Sequence, residues 1–253
     1  MSTEPVYATA TGLALATFTI FDWDVRYEGA EHIPASGPAI IASNHVGFLD
    51  FVFLGYGARP SGRRVRFMAM KEAFDHKVGG PVLRAMRHIP VDRAGDAAKS
   101  LRHAIASLRH GEVVGIHPEA RMSKTFVPMP AKTGAARMAI ETGAPLIPSV
   151  VWGSQRILPR GRKPKLPFGV AVRVTYGEPL EPAPGEDATA LTERLMARIR
   201  ELYDRAVQRY PQRTRGAGDR WWLPAHLGGT APKPEDGSSG PSFSAPGVSR
   251  DET

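Results

Sequence analysis

Two short polar segments concentrate the side chains that acid–base chemistry uses. The first reads Ser43-Asn44-His45-Val46-Gly47-Phe48-Leu49-Asp50. A His and an Asp five residues apart across a turn come within hydrogen-bonding distance. The carboxylate then fixes the imidazole tautomer and stabilises the imidazolium, and the other ring nitrogen is left to take a proton from an alcohol. The second segment reads His117-Pro118-Glu119-Ala120-Arg121-Met122-Ser123-Lys124. A carboxylate flanked by cations suits a ligand that carries both hydroxyl and phosphate groups. Between them, Ile89–Arg93 closes on a third polar residue, Arg93. Each segment alone also fits a bland role, a helix-capping His or a surface salt bridge. Three of them at strand ends are less easily dismissed. Other chemistries lack their motifs: there is no G-x-S-x-G, no H-E-x-x-H and no G-x-G-x-x-G after a strand. Gly57–Gly62 has the glycine spacing of a phosphate-binding loop, but Arg63-Arg64 stands where Lys-Ser/Thr is required. The chain has no cysteine, which excludes a disulfide scaffold, a zinc–thiolate site and a thiol nucleophile.

The elements around these segments explain why they matter. AIIAS (39–43) reads as a buried strand running into the first segment, with an apolar helix from about Leu49 to Tyr56 after it. VRFMAM (65–70) is a strand, a helix covers about Gly80–Met86, and HIPV (88–91) is a short strand. Residues 96–109 place Leu101, Ala104, Ile105 and Leu108 on one helical stripe, and Gly111 stops it. VVGI (113–116) is a strand that runs straight into His117. A helix over about 133–142, strands at 146–152 and 170–176, and a long helix over about 188–209 complete the pattern. Alternating β and α segments predict an α/β fold, a mostly parallel mixed sheet flanked by helices. In such sheets reactive groups gather at the carboxyl ends of the strands.

The 253 residues, 42% of them hydrophobic, suffice for one sizeable domain with appendages. Lys and Arg number 33 against 25 Asp and Glu, a net charge of +8. From residue 211 onward the charges cancel, so the excess sits on residues 1–210. It is concentrated in two acid-free runs, one holding Arg59, Arg63, Arg64, Arg66 and Lys71, the other Arg156, Arg160, Arg162, Lys163 and Lys165. A basic domain points to an anionic partner, or simply to a solvated face. Residues 1–24 form an apolar arm, uncharged from Pro5 to Phe21, that packs on the domain or enters a lipid interface. Residues 25–210 form the main domain. Residues 211–253 form a tail with Trp221 and Trp222, which dock on the domain or sit at a headgroup layer. The end of this tail, with 14 Gly, Pro or Ser in residues 228–253, reads as disordered.

In this order, the segments resemble the blocks of the glycerolipid acyltransferase family, of the bacterial 1-acyl-sn-glycerol-3-phosphate acyltransferase type. Asn44, His45 and Asp50 match its Asn-His-x4-Asp block. Gly80 through Val91-Asp92-Arg93 is similar to its second block, and Ala144-Pro145-Leu146-Ile147-Pro148 to its fourth. Its third block, Phe-Pro-Glu-Gly-Thr-Arg-Ser, appears here with His117 for Phe, Ala120 for Gly, Arg121 for Thr and Met122 for Arg. The phosphate-binding cation is thereby displaced to Arg121 or Lys124. The resemblance covers about residues 25–210 and implies a glycerol-3-phosphate acyltransferase-like single domain.

It further implies transfer of a fatty acyl group from acyl-CoA or acyl carrier protein to the hydroxyl of a lysophospholipid, with 1-acylglycerol-3-phosphate the expected acceptor. His45 is the expected base and Asp50 orients it. Asn44, Arg93, Glu119, Arg121 and Lys124 are expected to bind substrate, and backbone N–H groups after the Asn44-His45 turn to form an oxyanion hole. No metal or cofactor is expected. The expected partners are lipid and a membrane surface rather than nucleic acid, with peripheral attachment at the cytoplasmic face of the cell membrane. Two alternatives stay open: a metal-dependent phosphoesterase using His45, Asp50, His117 and Glu119 as ligands, and a non-enzymatic basic module for lipid or nucleic acid.

Overall fold

Among the described residues seven strands carry the molecule, and most sit where their apolar runs put them. The computed structural model describes residues 4–92, 97–161 and 166–233. In chain order the elements are α1 (Pro5–Ile20), β1 (Asp24–Glu28), β2 (Ala39–Ser43), α2 (Asp50–Gly57), β3 (Val65–Met70), α3 (Lys71–Asp75), α4 (Gly79–Ala85) and β4 (Ile89–Val91). They continue with α5 (Ala97–Arg109), β5 (Val113–Ile116), α6 (Gly134–Thr142), β6 (Leu146–Trp152), β7 (Ala171–Tyr176) and α7 (Ala188–Gln208). The sheet order is β1-β7-β6-β2-β5-β3-β4. Strands β4, β3, β5, β2 and β6 run parallel, β7 is antiparallel to β6, and β1 is parallel to β7. The fold is the expected α/β one, a mixed and mostly parallel sheet.

The sheet is covered on both faces. On one, Ile40, Ala42, Val114 and Leu146 meet α5, α6 and α7. On the other, Ile41, Val65, Phe67 and Val151 meet α1 and α2 through Phe18, Phe53 and Leu54. Central β2 and β6 are buried along their whole length, and buried parallel strands read as continuous apolar runs. The sequence reading passed over β1 (DVRYE), because it lies at the sheet edge, is largely exposed and has no apolar run to announce it.

The apolar arm is a helix with two unlike sides. Phe18 is buried against Phe53 and Trp23, while Leu13 and Ile20 are 69% and 64% exposed. Among the described residues no helix is long and apolar enough to cross a membrane. The tail folds back. Trp222 is 1% exposed in the core, and Arg156 lies over its ring at 4.5 Å. Residues 234–253 lie outside the described residues.

The first basic run is not the free cationic face that its sequence suggests. Arg66 is 4% exposed and bonds both carboxylate oxygens of Glu4, at 2.8 and 2.6 Å, and Glu112 at 3.2 Å. Arg63 is spent on the carbonyls of Pro34, Gly37 and Gly111, and Arg59 rests over Tyr56. The acids that balance the run come from distant parts of the chain. Of the second run, residues 162–165 lie outside the described residues.

Candidate active site

The carboxyl ends of β2, β5 and β6 are neighbours, and the loops leaving them bring His45, His117 and Ser154 together. Asp50 opens α2 and is fully buried. His45 Nδ1 donates to Asp50 Oδ2 at 2.8 Å. The same oxygen accepts the backbone N–H of Val46 at 2.7 Å and of Gly47 at 2.9 Å. Ser154 Oγ donates to the other oxygen, Oδ1. Burial alone would raise the Asp50 pKa. The hydrogen bond and charge of His45, with the backbone donors, outweigh it and hold the carboxyl below its ordinary range. Asp50 therefore stays ionised, and His45 Nε2 is the ring nitrogen with no protein partner among the described residues. The His45 side chain is 19% exposed, open enough to receive a ligand.

The two segments singled out in the sequence meet face to face. The rings of His45 and His117 stack with centroids 4.1 Å apart and planes 8° from parallel. His117 Nδ1 donates to the backbone oxygens of Asn44 at 2.9 Å and Ser43 at 3.1 Å. Burial first, and then the nearby His45, lower its pKa to about 4. His117 is thus neutral at neutral pH, and the stacked pair carries at most one positive charge when His45 is protonated. The backbone N–H of Ser123 also bonds the His45 carbonyl at 2.8 Å, which ties the second segment to the first.

Other expected site residues are placed as follows. Glu119 is enclosed, 5% exposed, and neither carboxylate oxygen makes a regular hydrogen bond. Burial raises its pKa well above the carboxylate range, against the pull of the Met129 and His45 backbone and the Arg121 charge. Arg121 and Lys124 are exposed and make no hydrogen bond or ion pair among the described residues. Ala120, where the family pattern has Gly, sits at φ 57°, a left-handed conformation natural to Gly. Arg93 lies outside the described residues.

Two expectations are corrected. Asn44 does not face a ligand. It is fully buried, its Oδ1 accepts from Val151 N–H at 2.8 Å and its Nδ2 donates to Val151 O at 3.1 Å, so it braces β2 against β6. The N–H groups after the His45 turn do not form an oxyanion hole either. Those of Val46 and Gly47 are spent on Asp50, and that of Phe48 bonds Leu158 O at 3.0 Å. A turn that closes on its own carboxylate spends the donors nearest His45. Sequence reading also missed Ser154. Its only signal was a Gly-Ser pair directly after the predicted strand 146–152. Gly153, at φ 101°, makes the turn: a Cβ there would lie 2.1 Å from the Ala171 carbonyl oxygen.

Comparison with known proteins places the chain in a family. The family model described as "Acyltransferase" matches residues 24–152. A 1-acyl-sn-glycerol-3-phosphate acyltransferase of Bacillus subtilis is 33% identical over 190 residues, covering 73% of this chain and 90% of that protein. The chloroplast enzyme LPAT1 of Arabidopsis thaliana is 28% identical over 72% of this chain, which spans half of that longer protein. The crystal structure of the Thermotoga maritima 1-acyl-sn-glycerophosphate acyltransferase superposes with a TM-score of 0.68 over 80% of each chain, at 24% identity, a likeness of fold. The domain match, the Bacillus relative and the strand-end His–Asp pair converge: the chain belongs to the acyltransferase family.

Proposed function

We propose that the protein moves a fatty acyl group from a thioester donor, acyl-CoA or acyl carrier protein, to the free hydroxyl of a lysophospholipid, with 1-acylglycerol-3-phosphate as the preferred acceptor. The observation that carries this reading is the His45–Asp50 hydrogen bond, with Nε2 left free at the carboxyl end of a parallel sheet. The acceptor hydroxyl loses its proton to His45 Nε2 as its oxygen attacks the thioester carbonyl. Asp50 stabilises the imidazolium through Nδ1. The tetrahedral intermediate collapses with loss of thiolate, which takes the proton back from His45. A thiol of pKa about 8.5 is a good leaving group, so a single residue serves as base and then acid. The reaction calls on no metal or prosthetic group. Both Asp50 oxygens are committed to donors, which favours this chemistry over a phosphoesterase that would need them as ligands.

Arg121 and Lys124 are the cations that suit the acceptor phosphate, being exposed and forming no ion pair among the described residues. The name of the Bacillus relative supports the same acceptor. Peripheral attachment to the cytoplasmic face of the cell membrane follows from the lipid substrate. Its support is the uncharged exposed side of α1, with Leu13 and Ile20, and the exposed Phe168 beside Phe21 near its end. The test is mass spectrometry of products from purified protein given mixed acyl-CoAs, acyl carrier protein thioesters and a panel of lysolipids. Acylated 1-acylglycerol-3-phosphate is expected. Release of inorganic phosphate without any acylated product would overturn the reading.

A further inference from the structure

Asp50 is held by more than the turn it closes, and the extra support comes from 104 residues away. Ser154 is fully buried, and its hydroxyl donates to Asp50 Oδ1, the oxygen that His45 does not touch. It lies in a short turn, Ser154–Arg156, reached through the left-handed Gly153 at the end of β6. That turn is clamped on its far side. Gly153 N–H bonds Gln155 Oε1 at 2.8 Å, Arg156 bonds Gln212 and, at 3.3 Å, the Tyr210 hydroxyl, and its guanidinium covers Trp222. On its near side there is no slack. A Cβ on Gly47 would come within 3.0 Å of the Ser154 backbone and Oγ. Ser154 therefore has one place to put its hydroxyl and one acceptor for it.

We infer that Ser154 is a positioning residue of the His45–Asp50 pair: its hydroxyl fixes the plane of the Asp50 carboxylate so that Oδ2 faces His45 Nδ1. Without it, Oδ1 is a buried anionic oxygen with no donor, and the carboxylate, held at Oδ2 alone, can tilt out of line with the His45 ring. A catalytic pair misplaced by a fraction of an ångström to an ångström loses as much as ~10²-fold in rate. The role concerns the chemical step, not the binding of either substrate.

The inference rests on the acyl-transfer reading above, and its test keeps the two separate. Ser154→Ala removes the donor. Ser154→Cys keeps a side chain of nearly the same size but donates weakly, and it carries the test if the Ala variant does not fold. For each variant with wild-type circular dichroism, kcat and both KM values are measured with acyl-CoA and 1-acylglycerol-3-phosphate, so that a loss in the chemical step is separated from a loss of binding. Both variants are expected to lose ~10–100-fold in kcat, with KM within about twofold. A kcat within threefold of wild type, or a loss carried by KM, overturns the inference. His45→Ala, run alongside, tells the failures apart. If it stays active the dyad itself is wrong, whereas an inactive His45→Ala with unaffected Ser154 variants overturns only the role of Ser154.

Discussion

The two ends of the parallel strands each hold a cluster of charged side chains, and they are built on opposite terms. At the amino ends Arg66 meets Glu4, Glu112 and the Met86 carbonyl, and Arg87 meets Glu112 at 2.8 Å. Each of these charges has its counterpart. At the carboxyl ends Asp50 is saturated with donors, but the cluster around it is left incomplete. Among the described residues His45 Nε2 has no partner, the Glu119 oxygens make no regular hydrogen bond, and Arg121 and Lys124 form no ion pair. Burying polar groups costs free energy unless they are paired. A cluster that closes on itself is explained by the fold alone, and one that leaves groups unspent needs a ligand to explain it.

The contrast predicts different losses when each cluster is broken. Asp50→Ala should have the largest effect, a fall of ~10³–10⁴ in turnover, because it removes both the tautomer control and the counter-charge of His45. Steady-state kinetics on variant protein that retains its fold measure this directly. Arg66→Ala should instead cost ~1–3 kcal/mol of stability, since it strands the Glu4 carboxylate while Glu112 keeps Arg87, and the folded fraction keeps its kcat. Denaturant titration beside an activity assay separates the two. Should Arg66→Ala lower kcat at unchanged stability, the division between the two ends fails.

Arg121→Ala and Lys124→Ala should each raise the acceptor KM more than they lower kcat, because uniform binding is what is lost. If neither shifts KM, the phosphate is anchored elsewhere, Arg93 being the next cation to replace.

The pH dependence of stability samples both regions. His117 beside His45, and His88 beside Arg66, are each held neutral by burial with pKa values lowered to about 4. Between the ordinary histidine value of about 6.5 and about 4, the unfolded chain binds protons that the native protein does not. Stability should therefore fall with pH across that window, by up to ~1.4 kcal/mol per pH unit for each histidine. Glu119 acts in the opposite sense. Its raised pKa adds stability at low pH that fades as pH rises. His88→Gln keeps an acceptor for the Phe67 N–H, now bonded to His88 Nδ1 at 3.0 Å, and should remove about half of the histidine slope. The smallest effect is expected at Ala120, whose left-handed φ costs about 1 kcal/mol. Ala120→Gly should recover that amount in thermal unfolding and leave kcat unaltered.

Legibility from sequence followed the range of the interactions. The buried strands 39–43, 65–70 and 146–152 were plain because apolar residues alone dictate them, and the His45–Asp50 contact because it spans a single turn. Edge strand β1 was missed because its residues are polar and partnered from one side only. Arg66 looked like a free surface cation because Glu4 and Glu112 are 62 and 46 residues away. Ser154 was missed for the same reason: nothing near it in sequence shows that the end of β6 arrives beside α2. The oxyanion hole was wrongly placed because spacing cannot reveal that Asp50 takes the very N–H groups the turn offers.

The central claim is that His45, oriented by Asp50, takes the proton from a lysolipid hydroxyl. The most direct measurement compares wild type with His45→Ala, both folded, by mass spectrometry of products from acyl-CoA and 1-acylglycerol-3-phosphate. The account predicts the doubly acylated phospholipid from wild type and a rate lower by ~10²–10⁴ from the variant. Equal product from both proteins would contradict it.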